Sequence, residues 1–170
     1  TTHFTATVRL TAEPPKKSKT KAVEKAGIKT VNAPDIYNLY FHGPAYQVME
    51  TAWRDGKTVV GLFPKELPAN HDPAALPIVA DPRLIELCFQ TAGIWEMGSN
   101  SRMGLPNAIK QVTLYGRPAK VSEQFHAIVT PGKDGTFDAK VVDAKGNVYL
   151  ALKGYRTAEL PEQIEEEKLK

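Results

Sequence analysis

Two kinds of hydrophobic periodicity stand out along the chain. Residues 3–10, HFTATVRL, alternate strictly between apolar and polar positions, which predicts a β-strand with one buried face. Residues 81–98, DPRLIELCFQTAGIWEMG, are apolar on almost every side at helical spacing, which predicts a helix enclosed by the rest of the fold. Asp81 can cap this helix and Pro82 suits its first position, so we expect it to begin there.

Most of the remaining segments are strand candidates separated by Gly, Pro, Asp and Asn turns. They cover residues 46–54, 57–63, 107–116, 120–130, 135–144 and 147–160. Asp55-Gly56 joins the first two and is a strong signal for a two-residue hairpin turn. A short helix is predicted at 33–40 and an irregular Pro-rich loop at 64–80. The charged tail at 161–170 is predicted to be a solvated helix or a frayed end.

A change of composition marks a linker near the start of the chain. Residues 13–29, EPPKKSKTKAVEKAGIK, hold two prolines, six lysines and almost nothing large and apolar, as expected for an exposed linker. We therefore predict a terminal strand at 1–12, a linker at 13–33 and a folded unit at 34–170.

The order of the elements predicts the fold class. One strand and the linker are followed by two strands, one long apolar helix and four strands. A helix that is apolar all round needs a layer that covers it on every side. An antiparallel sheet of five to seven strands curled around a single helix provides that layer. This α+β architecture is the hotdog fold.

Composition and charge exclude several classes of function. The chain has 170 residues, enough for one domain, and its formal charge of +3 comes from 22 basic and 19 acidic residues. It has no arginine-rich stretch with interleaved aromatics for nucleic acid, and no apolar run near the roughly 20 residues that span a membrane. Metal-ligand spacings and a Gly-rich phosphate loop are missing, so we expect no bound cofactor or metal. The single Cys88 fits a reducing compartment, and we expect a cytoplasmic protein.

Two polar residues on the apolar helix are the first candidates for chemistry. Glu86 and Gln90 are four residues apart, so their side chains project to the same place. Among apolar neighbours a carboxyl group loses solvation, which favours its protonated form and allows it to act as an acid. An amide beside it can orient it. The alternative is a surface ion pair between Arg83 and Glu86, with Gln90 at the edge of an exposed stripe.

The histidines and the cysteine are weaker candidates. His42 precedes a Gly-Pro turn, which bends the backbone sharply and could hold the imidazole over a cleft. His3 and His126 fall in strand patterns and His71 in the Pro-rich loop, where structural roles or simple exposure suffice. Cys88 has no base next to it in the sequence and is expected to be a small core residue.

Four stretches of the chain resemble, in the same order, parts of polyketide synthase dehydratase domains. In this chain, YFHGPAYQVMETAWRDGKTVVGLFP resembles the family's Tyr-Gly-Pro-x-Phe motif and the hairpin that follows it. DPRLIELCFQTAG resembles the family's HPxLLDxxxQ helix, and LPNAIKQVTLYG resembles its LPFxWxxVxLY strand. The last strand of the preceding half of such a domain is similar to TTHFTATVRL.

The resemblance implies a double hotdog, of which this sequence is the C-terminal half and residues 1–12 a strand left from the first half. Such domains occur in polyketide and polyunsaturated fatty acid synthases. They remove water from a 3-hydroxyacyl thioester, carried on the phosphopantetheine of an acyl carrier protein, and give an enoyl thioester. A His of the first half takes the C2 proton, and an Asp on the second-half helix handles the departing hydroxyl. The implied partners are the carrier protein, the N-terminal hotdog half and a second copy in a homodimer.

Carried over residue by residue, the resemblance implies a set of site residues. The catalytic Asp falls on Glu86 and its Gln partner on Gln90. The substrate-binding positions are His42 at the motif Tyr, Gly43, Pro44, Tyr46 at the motif Phe, and Leu105 with Pro106. Asn107 and Ile109 replace the usual aromatics, and the first-half motif with the general-base His is absent from this sequence.

Two other functions stay open. A hotdog thioesterase uses a helix Glu or Asp as base or nucleophile, and Glu86 suits that chemistry. A non-catalytic hotdog that binds an acyl chain or a carrier protein would explain the lost aromatics at 107 and 109. The basic residues Lys110, Arg117 and Lys120 could face an acidic carrier protein or a solvated surface.

Overall fold

An antiparallel sheet of eight strands packs against one long helix, in a computed structural model that describes residues 1–13, 15–24, 29–73, 80–116 and 124–159. The strands are β1 (Thr30–Asn32), β2 (Thr51–Asp55), β3 (Thr58–Leu62), β4 (Gly104–Ala108), β5 (Gln111–Leu114), β6 (Phe125–Pro131), β7 (Thr136–Asp143) and β8 (Val148–Glu159). The helices are α1 (Ala33–Tyr37) and α2 (Pro82–Asn100), with a 3-10 turn at Pro44–Tyr46. α2 contacts β3, β4, β6, β7 and β8. This arrangement confirms the predicted hotdog fold.

The long helix begins as its sequence predicts. The Asp81 carboxylate accepts a hydrogen bond of 3.0 Å from the Arg83 backbone N–H, and Pro82 occupies the first turn. No residue from Arg83 to Met97 is exposed. The close approach of α2 to β3 depends on Gly61, because a Cβ at that position would overlap the hydroxyl of Thr91.

The strand order is β1-β2-β3-β6-β7-β8, and β4 and β5 lie one after the other along the free edge of β8. A single strand over 107–116 was therefore the wrong prediction. The ladder with β8 changes register after Pro106, which lacks an N–H, and β8 itself turns at Gly154, whose φ is +61°. The stretch predicted as one strand is thus divided between β4 and β5.

The predicted strand at 3–10 is not formed. Residues 1–13 have no secondary structure and are exposed throughout, with Phe4 86% and Leu10 88% accessible to solvent. A strand needs a neighbour for its backbone hydrogen bonds, and none of the described residues pairs with this segment. Its origin in a preceding half stays a prediction.

The predicted linker at 13–33 is irregular in its described part but contains one element that sequence analysis missed. β1 lies inside it and pairs with β2 through the register Val31↔Ala52. Farther upstream, Lys19 forms an isolated bridge with Asn147. Three residues are too few for a period of two to be recognised, so the edge strand was hidden by its lysine-rich surroundings. Eight strands exceed the predicted five to seven for these reasons.

The first hairpin forms with its turn shifted by one residue. Asp55 and Thr58 are the closing pair of β2 and β3, so the loop is Gly56-Lys57 rather than Asp55-Gly56. Gly56 has a φ of +56°, which the first loop position of this turn requires and which glycine adopts without strain.

Several predictions fall on parts of the chain outside the described residues. These are the tail at 161–170, the start of the strand predicted at 120–130, and two of the three basic residues, Arg117 and Lys120. Lys110 is exposed. The described part of the loop predicted at 64–80 has neither helix nor strand, as expected.

Candidate active site

A cleft of about 110 Å³ opens beside the first half of α2. Five of the eight predicted site residues line it, namely His42, Glu86, Gln90, Leu105 and Pro106. The rest of its wall is formed by Tyr40, Phe41, Phe89, Met103, Gly104 and Tyr155. The fold thus brings the α1–β2 connection next to the long helix and the start of β4, which come much later in the sequence.

Glu86 makes two polar contacts at the cleft. Its Oε1 lies 3.0 Å from Nε2 of His42 and accepts a hydrogen bond of 3.1 Å from Nε2 of Gln90. The side chains of His42 and Glu86 are 19% and 20% exposed, so both are shielded but reachable. The alternative of a surface ion pair with Arg83 is wrong, because that guanidinium donates to the Pro68 carbonyl on the Pro-rich loop.

Gln90 is held by a hydrogen-bond chain that ends on the protein backbone. Its side chain is 2% exposed, and its Nε2 also donates to the Tyr46 carbonyl at 2.9 Å. Its Oε1 accepts from the Tyr37 hydroxyl at 2.8 Å, and that hydroxyl accepts from the Met49 N–H at 2.7 Å. The Tyr37 hydroxyl accepts one hydrogen bond and donates another. Because it must donate to the Gln90 oxygen, the amide nitrogen is the end that faces Glu86.

Burial and a nearby carboxylate keep Tyr37 in its donor form. Removal from water raises the pKa of Tyr37 above its ordinary value, although the Met49 N–H acts in the opposite direction; the charge of Glu86 adds to the increase. Tyr37 was not among the predicted site residues. Its position in the short helix at 33–40 carried no signal that it would reach α2.

Aromatic side chains surround the imidazole of His42. Phe41 stacks on it with a centroid distance of 5.2 Å, and Tyr40 meets it edge-on at 5.4 Å. Gln47 Nε2 donates to the His42 carbonyl at 3.1 Å, which fixes the backbone of the loop. The second ring nitrogen, Nδ1, is buried and has no hydrogen-bond partner within the described part of the chain.

Tyr40 connects this loop to the helix. Its hydroxyl donates to the Gln90 carbonyl at 2.9 Å, and the space it occupies exists because Gly93 has no side chain. Burial raises the pKa of Tyr40, so the hydroxyl remains a donor. Like Tyr37, this residue was missed by sequence analysis.

Three predicted substrate-binding residues shape the loop without lining the cleft. Gly43 and Pro44 are exposed and lead into the 3-10 turn, which is closed by a bond of 2.9 Å from the Tyr46 N–H to the Gly43 carbonyl. Tyr46 contributes its backbone carbonyl to Gln90. Asn107 is exposed on β4 and also lies outside the lining.

A second carboxylate on α2, Glu96, was also missed. It is 2% exposed, and its Oε1 accepts from Arg102 at 2.8 Å and from the Thr157 hydroxyl at 2.7 Å. Gly104 leaves room for its other oxygen, which would lie only 2.6 Å from a Cβ there. This cluster fastens β4 and β8 to the helix and so positions Leu105 at the cleft.

Cys88 and the other histidines lie away from the cleft. Cys88 is 1% exposed and contacts the Leu84 carbonyl at 3.5 Å; burial raises the pKa of its thiol, which makes it a poor nucleophile. His126 is buried against Trp53, His71 bonds to the Pro73 carbonyl, and His3 is exposed. Among the described residues, no group of three His, Cys, Asp or Glu side chains is arranged to hold a metal ion.

Comparison with known families identifies the chain. The family described as polyketide synthase dehydratase N-terminal domain matches residues 11–167. The chain belongs to the polyketide synthase dehydratase family. The description names an N-terminal domain, whereas the motifs quoted above resemble those of the C-terminal half. A comparison with curated proteins finds no match.

Solved structures of polyketide synthase dehydratases share the fold. The dehydratase domain from the CurF module of the curacin synthase aligns with a TM-score of 0.69 and 20% identity, over 87% of this chain and 55% of that one. The dehydratase domain from the CurK module aligns with a TM-score of 0.65 and 17% identity, over 89% of this chain and 56% of that one. A trans-AT synthase dehydratase domain from Brevibacillus brevis aligns with a TM-score of 0.63 and 20% identity, over 78% of this chain and 49% of that one. This chain spans about half the length of these dehydratase structures. Within the part of the chain that the structure describes, no helix is long and apolar enough to cross a membrane.

Proposed function

We propose that the chain is the C-terminal hotdog of a 3-hydroxyacyl-[acyl carrier protein] dehydratase domain of a polyketide or fatty acid synthase. The reaction removes water and leaves an enoyl thioester. The observation that carries this proposal is the position of Glu86, which lines a cleft together with Leu105 and Pro106 and has Gln90 bonded to it.

The assignment to the C-terminal half rests on which motifs the cleft contains. A helix carboxylate, a Gln one turn later and the Leu-Pro start of a strand belong to the second half in the resemblance, and all four residues line one cleft. The N-terminal description of the matching family speaks for the other half. A first half would instead supply its general-base His from a motif that this sequence lacks.

Elimination of water needs an acid, because hydroxide is a poor leaving group. Glu86 would donate its proton to the departing 3-hydroxyl, and Gln90 would hold the carboxyl group in place through its Nε2. One extra methylene relative to Asp moves a carboxyl group by about 1 Å, a displacement that can cost on the order of a hundredfold in rate. Gln90 is anchored to Tyr46 and Tyr37, so the position of the Glu86 carboxyl is defined despite its longer side chain.

Substrate and partners follow from the same assignment. The acyl group would arrive on the phosphopantetheine of an acyl carrier protein and lie against Leu105 and Pro106 in the cleft. Gly43, Pro44 and Tyr46 would contribute by shaping the loop that carries His42. Elimination of water is not a redox reaction. Acid and base groups therefore suffice, and no bound cofactor is required. We also propose that the N-terminal hotdog half packs against this one, that two copies form a homodimer, and that the protein is cytoplasmic.

The test is elimination from a 3-hydroxyacyl thioester on its carrier, measured as enoyl product in the full-length protein that contains this chain. We expect Glu86→Gln to lower kcat by about 10²- to 10⁴-fold, the usual contribution of a general acid. Glu66→Gln, at an exposed carboxylate of the loop, is the matched control and leaves kcat unchanged. If Glu86→Gln keeps wild-type activity, Glu86 is not the general acid.

A thioesterase is the second candidate, because a helix Glu rather than Asp suits hydrolysis. It predicts release of free thiol from an acyl-CoA, abolished in Glu86→Gln, with no enoyl product. A non-catalytic hotdog, suggested by Asn107 and Ile109 in place of aromatics, predicts a bound acyl-pantetheine without turnover. Assays of enoyl product, free thiol and bound acyl-pantetheine on one preparation separate all three functions.

A further inference from the structure

We propose that Tyr155 binds the 3-hydroxyl group of the substrate and thereby makes the cleft selective for hydroxylated acyl chains. This inference rests on the proposed dehydratase function and adds to it the residue that recognises the hydroxyl. Tyr155 lines the cleft together with Glu86, although sequence analysis did not select it. The observation behind the proposal is a nearly buried tyrosine whose hydroxyl has no hydrogen-bond partner among the described residues.

A β-bulge turns the side chain of Tyr155 toward the helix. The register with β7 shifts between the pairs made by Leu152 and Tyr155, where β8 contains one residue more than β7. In a regular strand these two side chains would lie on opposite faces of the sheet, because they are an odd number of residues apart. The bulge at Gly154, whose φ is +61°, places both on the face that packs against α2. The Gly154 N–H donates to Asp138 Oδ1 at 2.9 Å, which fixes the bulge.

Aromatic neighbours hold the Tyr155 ring in one position. Phe89 of α2 stacks on it with a centroid distance of 4.6 Å and an interplanar angle of 23°. Phe137 of β7 lies 6.2 Å away, and Tyr155 as a whole is 2% exposed. A ring that is already fixed loses little conformational freedom when a ligand binds, which favours its use as a binding group.

The hydroxyl of Tyr155 is available to a ligand as a hydrogen-bond donor. The hydroxyl of Tyr40, which also lines the cleft, donates to the Gln90 carbonyl at 2.9 Å, whereas that of Tyr155 bonds to no described residue. It is not one of the enclosed side-chain atoms that lack a partner in the described part of the chain, so it is reached from the cleft. Burial raises the pKa of Tyr155 and the charge of Glu86 adds to the increase, so the phenol keeps its proton.

The position of Glu86 favours the 3-hydroxyl over the thioester carbonyl as the group that Tyr155 binds. The proposed acid must contact the 3-hydroxyl, and Tyr155 lines the same cleft. The carbonyl oxygen gains negative charge as C2 loses its proton, and a neighbouring carboxylate would oppose that charge. A hydroxyl oxygen has two lone pairs, so it can accept from the carboxyl group with one and from the phenol with the other.

The test is equilibrium binding of two pantetheine amides that differ in the 3-hydroxyl alone, a 3-hydroxyacyl amide and the matching saturated acyl amide. An amide acidifies C2 less than a thioester does, so the hydroxylated ligand resists elimination during the titration. We expect the full-length wild-type protein to bind the hydroxylated amide more tightly. Tyr155→Phe should lower this preference about threefold to tenfold, the usual effect of one neutral hydrogen bond, and bind the saturated amide within about twofold of wild type.

The control is Tyr115→Phe, a tyrosine outside the cleft lining, which should leave the preference unchanged. Tyr155→Phe keeps the stacked ring and breaks no hydrogen bond to a described residue, so we expect an unchanged melting temperature. With the thioester substrate, KM should rise about threefold to tenfold while kcat stays within about threefold, because the lost bond is made before the chemical step. Equal weakening of both amides would assign Tyr155 to packing and overturn the inference.

Failure of this inference can be told from failure of the proposed function. A wild-type protein that forms enoyl product, with the hydroxyl preference intact in Tyr155→Phe, leaves the dehydratase function standing and overturns the role of Tyr155. A wild-type protein that forms no enoyl product, with a preference that Tyr155→Phe abolishes, overturns the proposed reaction and supports the role of Tyr155 in binding. A wild-type protein without any preference for the hydroxylated amide overturns the inference whatever its activity.

Discussion

Two carboxylates on α2, Glu86 and Glu96, lie in different surroundings and have different hydrogen-bond partners. Glu96 is sealed between α2, β4 and β8, where Arg102 and Thr157 occupy its Oε1. Glu86 lies at the edge of a cleft, and its partners are a histidine and an amide. A guanidinium stays charged at every accessible pH and makes a permanent partner, whereas an imidazole can exchange a proton. The two carboxylates therefore differ less in being on the same helix than in the chemistry of their partners, and that difference is the basis for proposing a function for Glu86 alone.

The largest expected effect is a difference in kcat between variants of the two carboxylates. Glu86→Gln should lower kcat by about 10²- to 10⁴-fold because it removes the transferable proton. Glu96→Gln should leave kcat within about fivefold, because the substitution preserves the shape of a group that touches no substrate. Steady-state rates on the same thioester give both values. Equal losses in the two variants would mean that the carboxylates act as one unit.

Stability should rank the same two variants in the opposite order. Glu96→Gln weakens two hydrogen bonds around a buried charge, and we expect the free energy of unfolding to fall by about 1–3 kcal/mol. Glu86→Gln should cost less than about 1 kcal/mol, since its site is partly solvated. Urea denaturation monitored by circular dichroism measures both. A Glu86 variant that is the less stable of the two would reverse the comparison.

The hydrogen-bond chain behind Glu86 gives a smaller effect on rate. Tyr37→Phe removes the donor to Gln90 Oε1 and leaves the Met49 N–H without its acceptor, so we expect about a 1 kcal/mol loss, or about a fivefold lower kcat. Tyr40→Phe is matched to it, because that hydroxyl contacts the backbone of Gln90 and leaves its amide in place. Its kcat should stay within twofold of wild type. If Tyr40→Phe proves the slower variant, the amide is not positioned by Tyr37.

A third carboxylate, Asp143, gives the smallest effect and only in acid. Its burial opposes ionisation, but hydrogen bonds from the Asn147 side chain and N–H, the Lys145 N–H and the Tyr149 hydroxyl prevail and hold the pKa of Asp143 below its ordinary value. The folded state therefore binds the proton less readily than the unfolded state. The resulting stability is complete above the unfolded value of about 3.9 and is lost as pH falls through the lower folded value.

The stability difference between wild type and Asp143→Asn tests this sign. It should be largest above about pH 5 and should shrink as the pH falls below about 4. Unfolding by urea at a series of pH values measures it. A difference that grows on acidification would contradict the assigned direction.

Local sequence signals predicted the elements whose causes are local. The cap at Asp81, the helix after it and the hairpin at Gly56 depend on neighbouring residues, and the helix places Glu86 and Gln90 on one side without further information. The strand at 3–10 failed for a different reason. Its alternation is real, but a strand also needs a partner edge, which is a property of the whole fold.

The contacts that define the cleft could not be predicted from periodicity. His42 and Tyr37 reach α2 from a loop and a short helix that are distant from it in the sequence, and no spacing rule relates them. The family resemblance brought His42 and Glu86 into one site but assigned the first to substrate binding. It gave no reason to expect the two side chains in direct contact.

The end of the hydrogen-bond chain has a consequence for mutational scans. Gln90 is anchored through Tyr37 to the main-chain N–H of Met49, an atom that every residue except proline retains. Position 49 is fully buried, so a scan should record it as an ordinary core position that accepts apolar residues of similar size. Its contribution to the reaction would then be invisible to side-chain replacement, and only proline or an ester substitution in the backbone would reveal it.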